Sequence, residues 1–376
     1  MKQNGTIKLF VDAHVFDNEH QGSRTFLKEL YNHLVSKKDI EFYFGAHNIE
    51  NLKTNFPVAE NIHFTAYKNK RSTARLLFDI PRIIKQYNIQ YAHFQYIVPL
   101  QKTCYFIVTT HDVLFNDYPK DFPWWYRFTK NLLYKMGAKK ADLLTTVSSH
   151  SKKSIQKYLG IPADQIHVLP NGINQKYFID YNKETAATYV ATNFGCKKYI
   201  LFSSRIEPRK NHVALLQVYL DLALYADDYQ LVFIGHQSIK VPALDQLLQS
   251  VSPAIRQKII LLHDINDEAL FAFYKAATVF VYPSKAEGFG FPPLEAAALK
   301  IPVLCSNNAA LSDFTFFSKN HIDISDYCLF KKRLLDIIQQ KEENSLQAIA
   351  HTIKQKYDWE KTTESFYRLL KNHHTL

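Results

Sequence analysis

Val279-Phe-Val-Tyr-Pro-Ser-Lys-Ala-Glu-Gly-Phe-Gly-Phe-Pro-Pro-Leu-Glu295 is the stretch from which the fold can be read. Its first four residues are continuously apolar, as a strand covered on both faces requires. Two glycines follow. Pro292 and Pro293 then stand where a helix begins, because the first turn tolerates a residue without an N–H. Strand, glycine loop and helix in that order make half of a βαβ unit. The free N–H groups of such a helix start, with its dipole, form an anion site suited to a diphosphate. Glu287 lies in the loop and Glu295 about one turn inside the helix. One carboxylate can bond sugar hydroxyls while the other reaches ribose hydroxyls. Equally, they can be a loop acid and a helix acid near a dipole-favoured terminus.

A second cluster follows another apolar run, Tyr199–Ser203. In Arg205-Ile-Glu-Pro-Arg209-Lys210-Asn211 three cations sit on the loop after a strand. Arg offers a planar fork and Lys a compact charge for a leaving diphosphate; solvated surface cations are the plain alternative.

The same alternation runs nearly end to end. Strands are expected at Ile7–Ala13, Glu41–Ala46, Ala92–Val98, Cys104–Thr110, Leu143–Ser148 and Ile166–Leu169. In the second half they are expected at Tyr199–Ser203, Gln230–Gly235, Lys258–Leu262, Val279–Pro283 and Pro302–Ser306. Helical periodicity marks Thr25–Ser36, Ala74–Tyr87, Asn211–Tyr225, Glu268–Ala277 and Pro293–Lys300, with an amphipathic segment Trp359–Lys371 near the end. The pattern restarts after the turn Pro170-Asn171-Gly172, with a polar stretch through roughly Lys197 between the halves. This predicts an α/β protein of two doubly wound parallel-sheet, Rossmann-like domains. Ligands of such sheets bind beyond the carboxyl ends of the strands, so a site is expected in a cleft between the domains.

The 376 residues, 47% hydrophobic and 22% charged, suffice for two cores and argue against disorder. With 10 glycines, both GxGxxG and GxxxxGK[ST] are excluded, which argues against a nicotinamide dehydrogenase or P-loop NTPase. The four cysteines have no CxxC spacing and read as small hydrophobes. No metal motif of DxD type stands at a strand end, so no metal or cofactor is expected. The first residues are too short and polar for a signal sequence, and no run reaches bilayer length, so a cytoplasmic location is expected. Residues 1–175 carry 23 Lys+Arg against 14 Asp+Glu, whereas 176–376 carry 23 against 21, so the +11 excess belongs mostly to the first half. Such a face suits an anionic substrate, an anionic membrane or nucleic acid, or is simply a soluble surface. Leu114–Lys130, rich in aromatics and holding Trp124-Trp125-Tyr126, suits core packing, sugar stacking or a membrane interface.

Glu287-x7-Glu295, Arg205-x4-Lys210 and Asn171-Gly172 together resemble the GT-B retaining glycosyltransferases of family 4, and the resemblance covers almost the whole chain. Thr110-His111-Asp112, the Val147–Ser151 run, Ile161–Gly172 and Asp358-Trp359-Glu360 fit the same order. The resemblance implies an N-terminal acceptor domain, 1–175 plus a crossing helix at about 358–376, and a C-terminal nucleotide-sugar domain, 176–357. It implies that Glu287 holds the donor sugar and Glu295 the ribose. Arg205 and Lys210 would neutralise the diphosphate, and backbone N–H groups of Gly288, Phe289 and Gly290 would line the sugar and phosphate. Gly22 would admit the phosphates, Ile265 would hold the base, and His111 would sit near the reacting carbon and acceptor. Gln21 stands where such enzymes often have a second glycine, and Leu311-Ser-Asp-Phe replaces a common Pro-Glu-Val turn.

The expected activity is retaining transfer of a sugar from a nucleotide diphosphate to a glycan or lipid-linked acceptor in cell-surface polysaccharide synthesis. Similarity to bacterial capsule and O-antigen mannosyltransferases makes GDP-mannose the first choice of donor, with UDP-sugars next. Front-side displacement, without a metal, is the expected mechanism, and peripheral contact with an anionic membrane is expected. The rival readings are a sugar-nucleotide epimerase or phosphorylase on the same scaffold, and a basic nucleic-acid binder. No RNP, zinc-finger or arginine-rich run supports the last.

Overall fold

Continuous apolar runs become parallel strands in both halves of the chain, in a computed structural model that describes residues 6–17, 22–339 and 343–375. The chain divides into two compact units: residues up to Gly172 together with those from Asp358 on, and Ile173–Tyr357.

The first unit holds a seven-stranded sheet of order β3-β2-β1-β4-β5-β6-β7. Its strands are β1 (Ile7–Asp12), β2 (Ile40–Ala46), β3 (Ile62–Ala66), β4 (Tyr91–Gln95), β5 (Tyr105–Thr109), β6 (Leu143–Thr146) and β7 (Ile166–Val168). Every pairing is parallel. The order reverses between β1 and β4, which is the switch point of a Rossmann-like sheet. Helix α1 (Gly22–Leu34) buries Phe26, Leu27, Leu30, Tyr31 and Leu34. Helix α2 (Trp124–Lys140) covers the sheet between β5 and β6.

The second unit holds a six-stranded parallel sheet of order β10-β9-β8-β11-β12-β13. Here β8 is Tyr199–Ser203, β9 Gln230–Ile234, β10 Ile259–Leu262, β11 Val279–Tyr282, β12 Val303–Ser306 and β13 His321–Ile322. Its switch point lies between β8 and β11. Helix α3 (Lys183–Phe194) precedes the sheet, and α4 (Phe291–Ala298) links β11 to β12.

Helix α5 (Trp359–Thr375) packs on α1 in the first unit. Lys371 and the Tyr367 hydroxyl both donate to Asp39 at 2.8 Å, and Thr362 Oγ1 donates to the Pro170 carbonyl at 2.6 Å. At Gly172 a Cβ would collide with the backbone and ring of Trp359, which explains why glycine closes the Asn171-Gly172 turn.

The structure departs from the sequence-based expectations at several elements, including the unexpected two-residue edge strand β13 (His321–Ile322). The polar stretch expected as a connection through Lys197 contains α3. Asn182 caps this helix by accepting from Thr185 N, and Ala186 and Val190 are its buried residues. A helix with so narrow an apolar stripe gives little periodic signal. The helix expected at Ala74–Tyr87 is interrupted by a π-helical turn, Arg75–Asp79, before Ile80–Tyr87. Strand β3, with Ile62 as its single buried residue, lies at an edge and carries too little apolar character to be read. Gln21 lies outside the described residues.

Candidate active site

In the second unit the chemistry gathers at the switch point. Strand β8 delivers the Arg205–Lys210 loop and β11 delivers the Glu287 loop, side by side at their carboxyl ends. Asn211, at φ 64°, turns the chain from Lys210 into the helix His212–Asp221. Asn enters the left-handed region more readily than most residues. This turn directs Lys210 inward. Its Nζ donates to Glu287 Oε1 at 2.5 Å and to the Tyr282 hydroxyl at 3.2 Å, while Tyr282 donates to the same Oε1 at 2.9 Å.

Arg209 locks the two loops together. It donates from Nη1 to the Ala286 carbonyl at 2.8 Å and lies 3.5 Å from Glu287 Oε2; its Nη2 lies 2.6 Å from Glu207 Oε1. Its own carbonyl accepts from Lys285 N at 2.8 Å. Glu207, Lys210 and Glu287 are all buried. Burial alone would raise the Glu287 carboxyl, but Lys210 and then Arg209 beside it outweigh burial and bring its pKa down to about 2. The site therefore holds an ionised carboxylate out of water. Arg205 lies on the same loop with its side chain exposed.

The glycine loop has a specific steric reason. Gly290 caps α4 at φ 106°, and a Cβ there would press on Leu311 and Phe314. Leu311-Ser-Asp-Phe thus folds over the loop, and Ala310 N donates to the Glu287 carbonyl at 3.2 Å. Phe289 is buried, its ring against Phe291, Phe314 and Tyr357, and Gly288 is half-buried beside it. Ile265 lies half-buried after β10, following Asp264 at φ 53°.

Glu295 sits apart from the ion cluster, among tyrosines. Tyr274 lies 3.4 Å from its Oε2, and Tyr177 bonds to it as well. Burial pushes its pKa up to about 7, against the opposing pull of these hydroxyls and of Lys176. The two acids of one motif are therefore shifted in opposite directions: Glu287 is held charged by cations, and burial raises Glu295.

In the first unit His111 follows β5. Its Nε2 donates to Gln95 Oε1 at 2.5 Å, and Phe26 meets its ring edge-on at 5.1 Å. The Gln95 amide nitrogen in turn faces His93 Nε2 at 3.3 Å. Thr109 Oγ1 also meets that nitrogen at 2.7 Å, and Tyr31 meets His93 Nδ1 at 2.6 Å. An amide oxygen only accepts, so the His111 proton sits on Nε2 and leaves Nδ1 as an acceptor. Burial depresses both histidines to about 3, so both are neutral at working pH. Gly22 opens α1 and is exposed. His93 and Gln95 did not stand out in the sequence. Their signal is two polar residues at i and i+2 in an otherwise apolar strand, which puts them on one face.

Comparison with known proteins adds to this geometry. The sequence matches the family Glycosyl transferases group 1 over residues 191–355 and Glycosyltransferase Family 4 over residues 21–177. The chain belongs to these glycosyltransferases. Both halves of the GT-B fold are thereby accounted for, and similarity to O-antigen mannosyltransferases follows the same lines. The O-antigen chain mannosyltransferase RfbU of Salmonella typhimurium is 29% identical over 202 residues, 53% of this chain and 51% of that protein. The O-antigen chain mannosyltransferase B of Escherichia coli is 34% identical over 175 residues, 46% of this chain and 45% of its own length. These matches thus span about half the length of the curated relatives. Among solved structures, a glycosyltransferase from Rickettsia africae superposes with a TM-score of 0.74 at 17% identity, covering 98% of this chain and 99% of the other. Anabaena Alr3699/HepE in complex with UDP superposes with a TM-score of 0.73 at 15% identity, covering 97% and 100%.

Proposed function

We propose that this glycosyltransferase moves a sugar, with retention, from a nucleotide-diphosphate donor to a glycan or lipid-linked saccharide in cell-surface polysaccharide synthesis. GDP-mannose is the preferred donor in this reading, because the sequence relatives at 29% and 34% identity are O-antigen mannosyltransferases. A UDP-sugar is the second reading, favoured by a fold neighbour solved with UDP and with UDP-glucose.

The observation that carries the proposal is the buried Lys210–Glu287–Arg209 cluster at the switch point, beside the start of α4. A leaving diphosphate needs positive charge that is already in place, since preorganised charge in a water-poor site stabilises developing negative charge most. Lys210 and Arg205 would meet the phosphates, with Arg209 keeping Lys210 and Glu287 in register. Glu287, ionised, would accept hydrogen bonds from sugar hydroxyls. The N–H groups of Gly288, Phe289 and Gly290 would add donors, Glu295 would hold the ribose, and Ile265 would flank the base. In the first unit Gly22 would border the phosphates. His111, neutral with Nδ1 as acceptor, would bond a hydroxyl near the reacting carbon.

With these cations in the metal's place, the departing phosphate oxygen would take the proton of the incoming hydroxyl on the same face, which retains configuration. Titration calorimetry with GDP-mannose, UDP-glucose, GDP and UDP tests the donor, and NMR of the product anomer tests retention. Activity unchanged by EDTA is expected. If no nucleotide diphosphate binds, the proposal fails.

A further inference from the structure

Helix α2, Trp124–Lys140, carries two apolar faces, and the core needs one of them. Tyr134, Gly137 and Ala138 are buried in the first unit. On the other side Trp124, Trp125, Phe128 and Leu132 stand 76%, 59%, 68% and 61% exposed. At about 100° per residue these four fall within one arc of roughly 100°, and the exposed Lys135 and Lys139 lie inside the same arc. A soluble helix normally turns charge outward opposite its core face. This one turns out two indoles, a phenyl ring and a leucine, with lysines one to two turns further on.

The apolar end also has a defined place. Tyr134 stacks on Tyr96 with ring centroids 4.5 Å apart, and Gly137 has no room for a Cβ beside the Tyr96 carbonyl. Tyr96 directly follows β4, so Gly137 is level with the carboxyl edge of the sheet. Helices between parallel strands run antiparallel to them, so residues 124–133 project beyond that edge, by up to about 20 Å at 1.5 Å per residue. The same edge carries His111.

We propose that this face of α2 docks on an anionic lipid bilayer, with Trp124, Trp125, Phe128 and Leu132 in the interface and Lys135 and Lys139 against lipid phosphates. Charge selects this occupant. The helix has five cations, Arg127, Lys130, Lys135, Lys139 and Lys140, and no carboxylate. A second copy would bring the same five cations to the contact and no carboxylate to pair with them. An anionic leaflet attracts them, and indole rings prefer its headgroup level. No helix among the described residues is long and apolar enough to cross a membrane. Docking there would hold the projecting end of α2, and with it the edge bearing His111, against the surface from which a lipid-linked acceptor is presented.

The test is co-sedimentation of the full chain with vesicles, without donor or acceptor, so that its result is independent of the transferase reading. Vesicles of phosphatidylcholine with phosphatidylglycerol should capture the protein, and vesicles of phosphatidylcholine alone should capture far less. Trp124→Ser/Trp125→Ser/Phe128→Ser should weaken capture at least about tenfold, and Lys135→Glu/Lys139→Glu should do so by a similar factor while reducing its salt dependence. Both variants alter exposed side chains, and unchanged melting curves would verify their folding. Capture independent of anionic lipid, or equal capture of the folded variants, would overturn the proposal. So would a wild-type dimer in sedimentation that the serine variant abolishes.

Discussion

The carboxyl ends of β4 and β5 in the first unit and of β8 and β11 in the second are matching places in two similar sheets, yet their electrostatics are opposite. In the second unit Glu207, Arg209, Lys210 and Glu287 are linked by ion pairs, and Lys210 and Arg209 hold the buried Glu287 ionised. In the first, His93, Gln95, His111 and Thr109 form a neutral network in which burial strips both histidines of their protons. The topology puts both groups at the carboxyl ends of strands beside a switch point; the side chains decide what each can hold. A charged cluster suits a diphosphate whose charge grows as it leaves. A neutral network suits hydroxyl groups, for which a fixed charge would be an unneeded desolvation cost.

Glu287→Ala should have the largest effect. It leaves Lys210 a buried cation without its carboxylate, while Arg209 keeps Glu207, and losing one partner of a buried pair costs about 3–5 kcal/mol. Urea unfolding measures this, and turnover should fall steeply in the same variant. A loss under 1 kcal/mol would mean that solvent already reaches the cluster. His111→Ala should cost less, about 1–3 kcal/mol, because it strands only a neutral amide oxygen of Gln95. It should lower turnover while leaving donor affinity in calorimetry unchanged. An equal loss of donor affinity would erase the distinction between the two edges.

Acid should separate the regions in sequence. The histidines have folded pKa values near 3, below the ordinary 6.5, so their contribution is complete above 6.5 and is lost as pH falls toward 3. Glu287, at about 2 against an ordinary 4.5, contributes fully above 4.5 and loses its contribution as pH falls toward 2. Stability should therefore begin to fall between pH 6.5 and 4.5 through the first unit, and His93→Gln/His111→Gln should flatten that slope. Glu295 has the reverse sign. With its pKa raised to about 7, its cost grows as pH rises from 4.5 through 7. Glu295→Gln should raise the melting temperature at pH 8 by at least about 2–4 °C, about 1 kcal/mol or more for a unit of this size, with no such gain below pH 4. No rise at pH 8 would mean that the tyrosines, rather than burial, set this carboxyl's state.

Most strands were legible because a strand buried on both faces must be apolar throughout, and Leu231-Val-Phe-Ile234 or Tyr199-Ile-Leu-Phe202 admits few other structures. The Val279–Glu295 stretch was legible for a different reason: glycines and prolines constrain the backbone itself. Helix α3 and strand β3 were not legible, since each buries so few side chains that its local pattern resembles a loop. At the candidate site, Lys210 and Glu287 stood out as charges beside strand ends. Arg209 was one cation among three, and nothing local marked it as the residue that clasps both loops.

What the sequence determined by itself is the succession of strands, turns and helix starts, because those depend on neighbours within one or two turns of chain. It also set which charges stand at the ends of strands. Only the tertiary structure decided their protonation. Glu287 and Glu295 are eight positions apart in one motif, yet one lies against Lys210 and Arg209 from another strand and the other among tyrosines from residues 177 and 274. A carboxyl's pKa follows from burial and from charges within a few ångströms, and those neighbours arrive from parts of the chain that the motif does not contain.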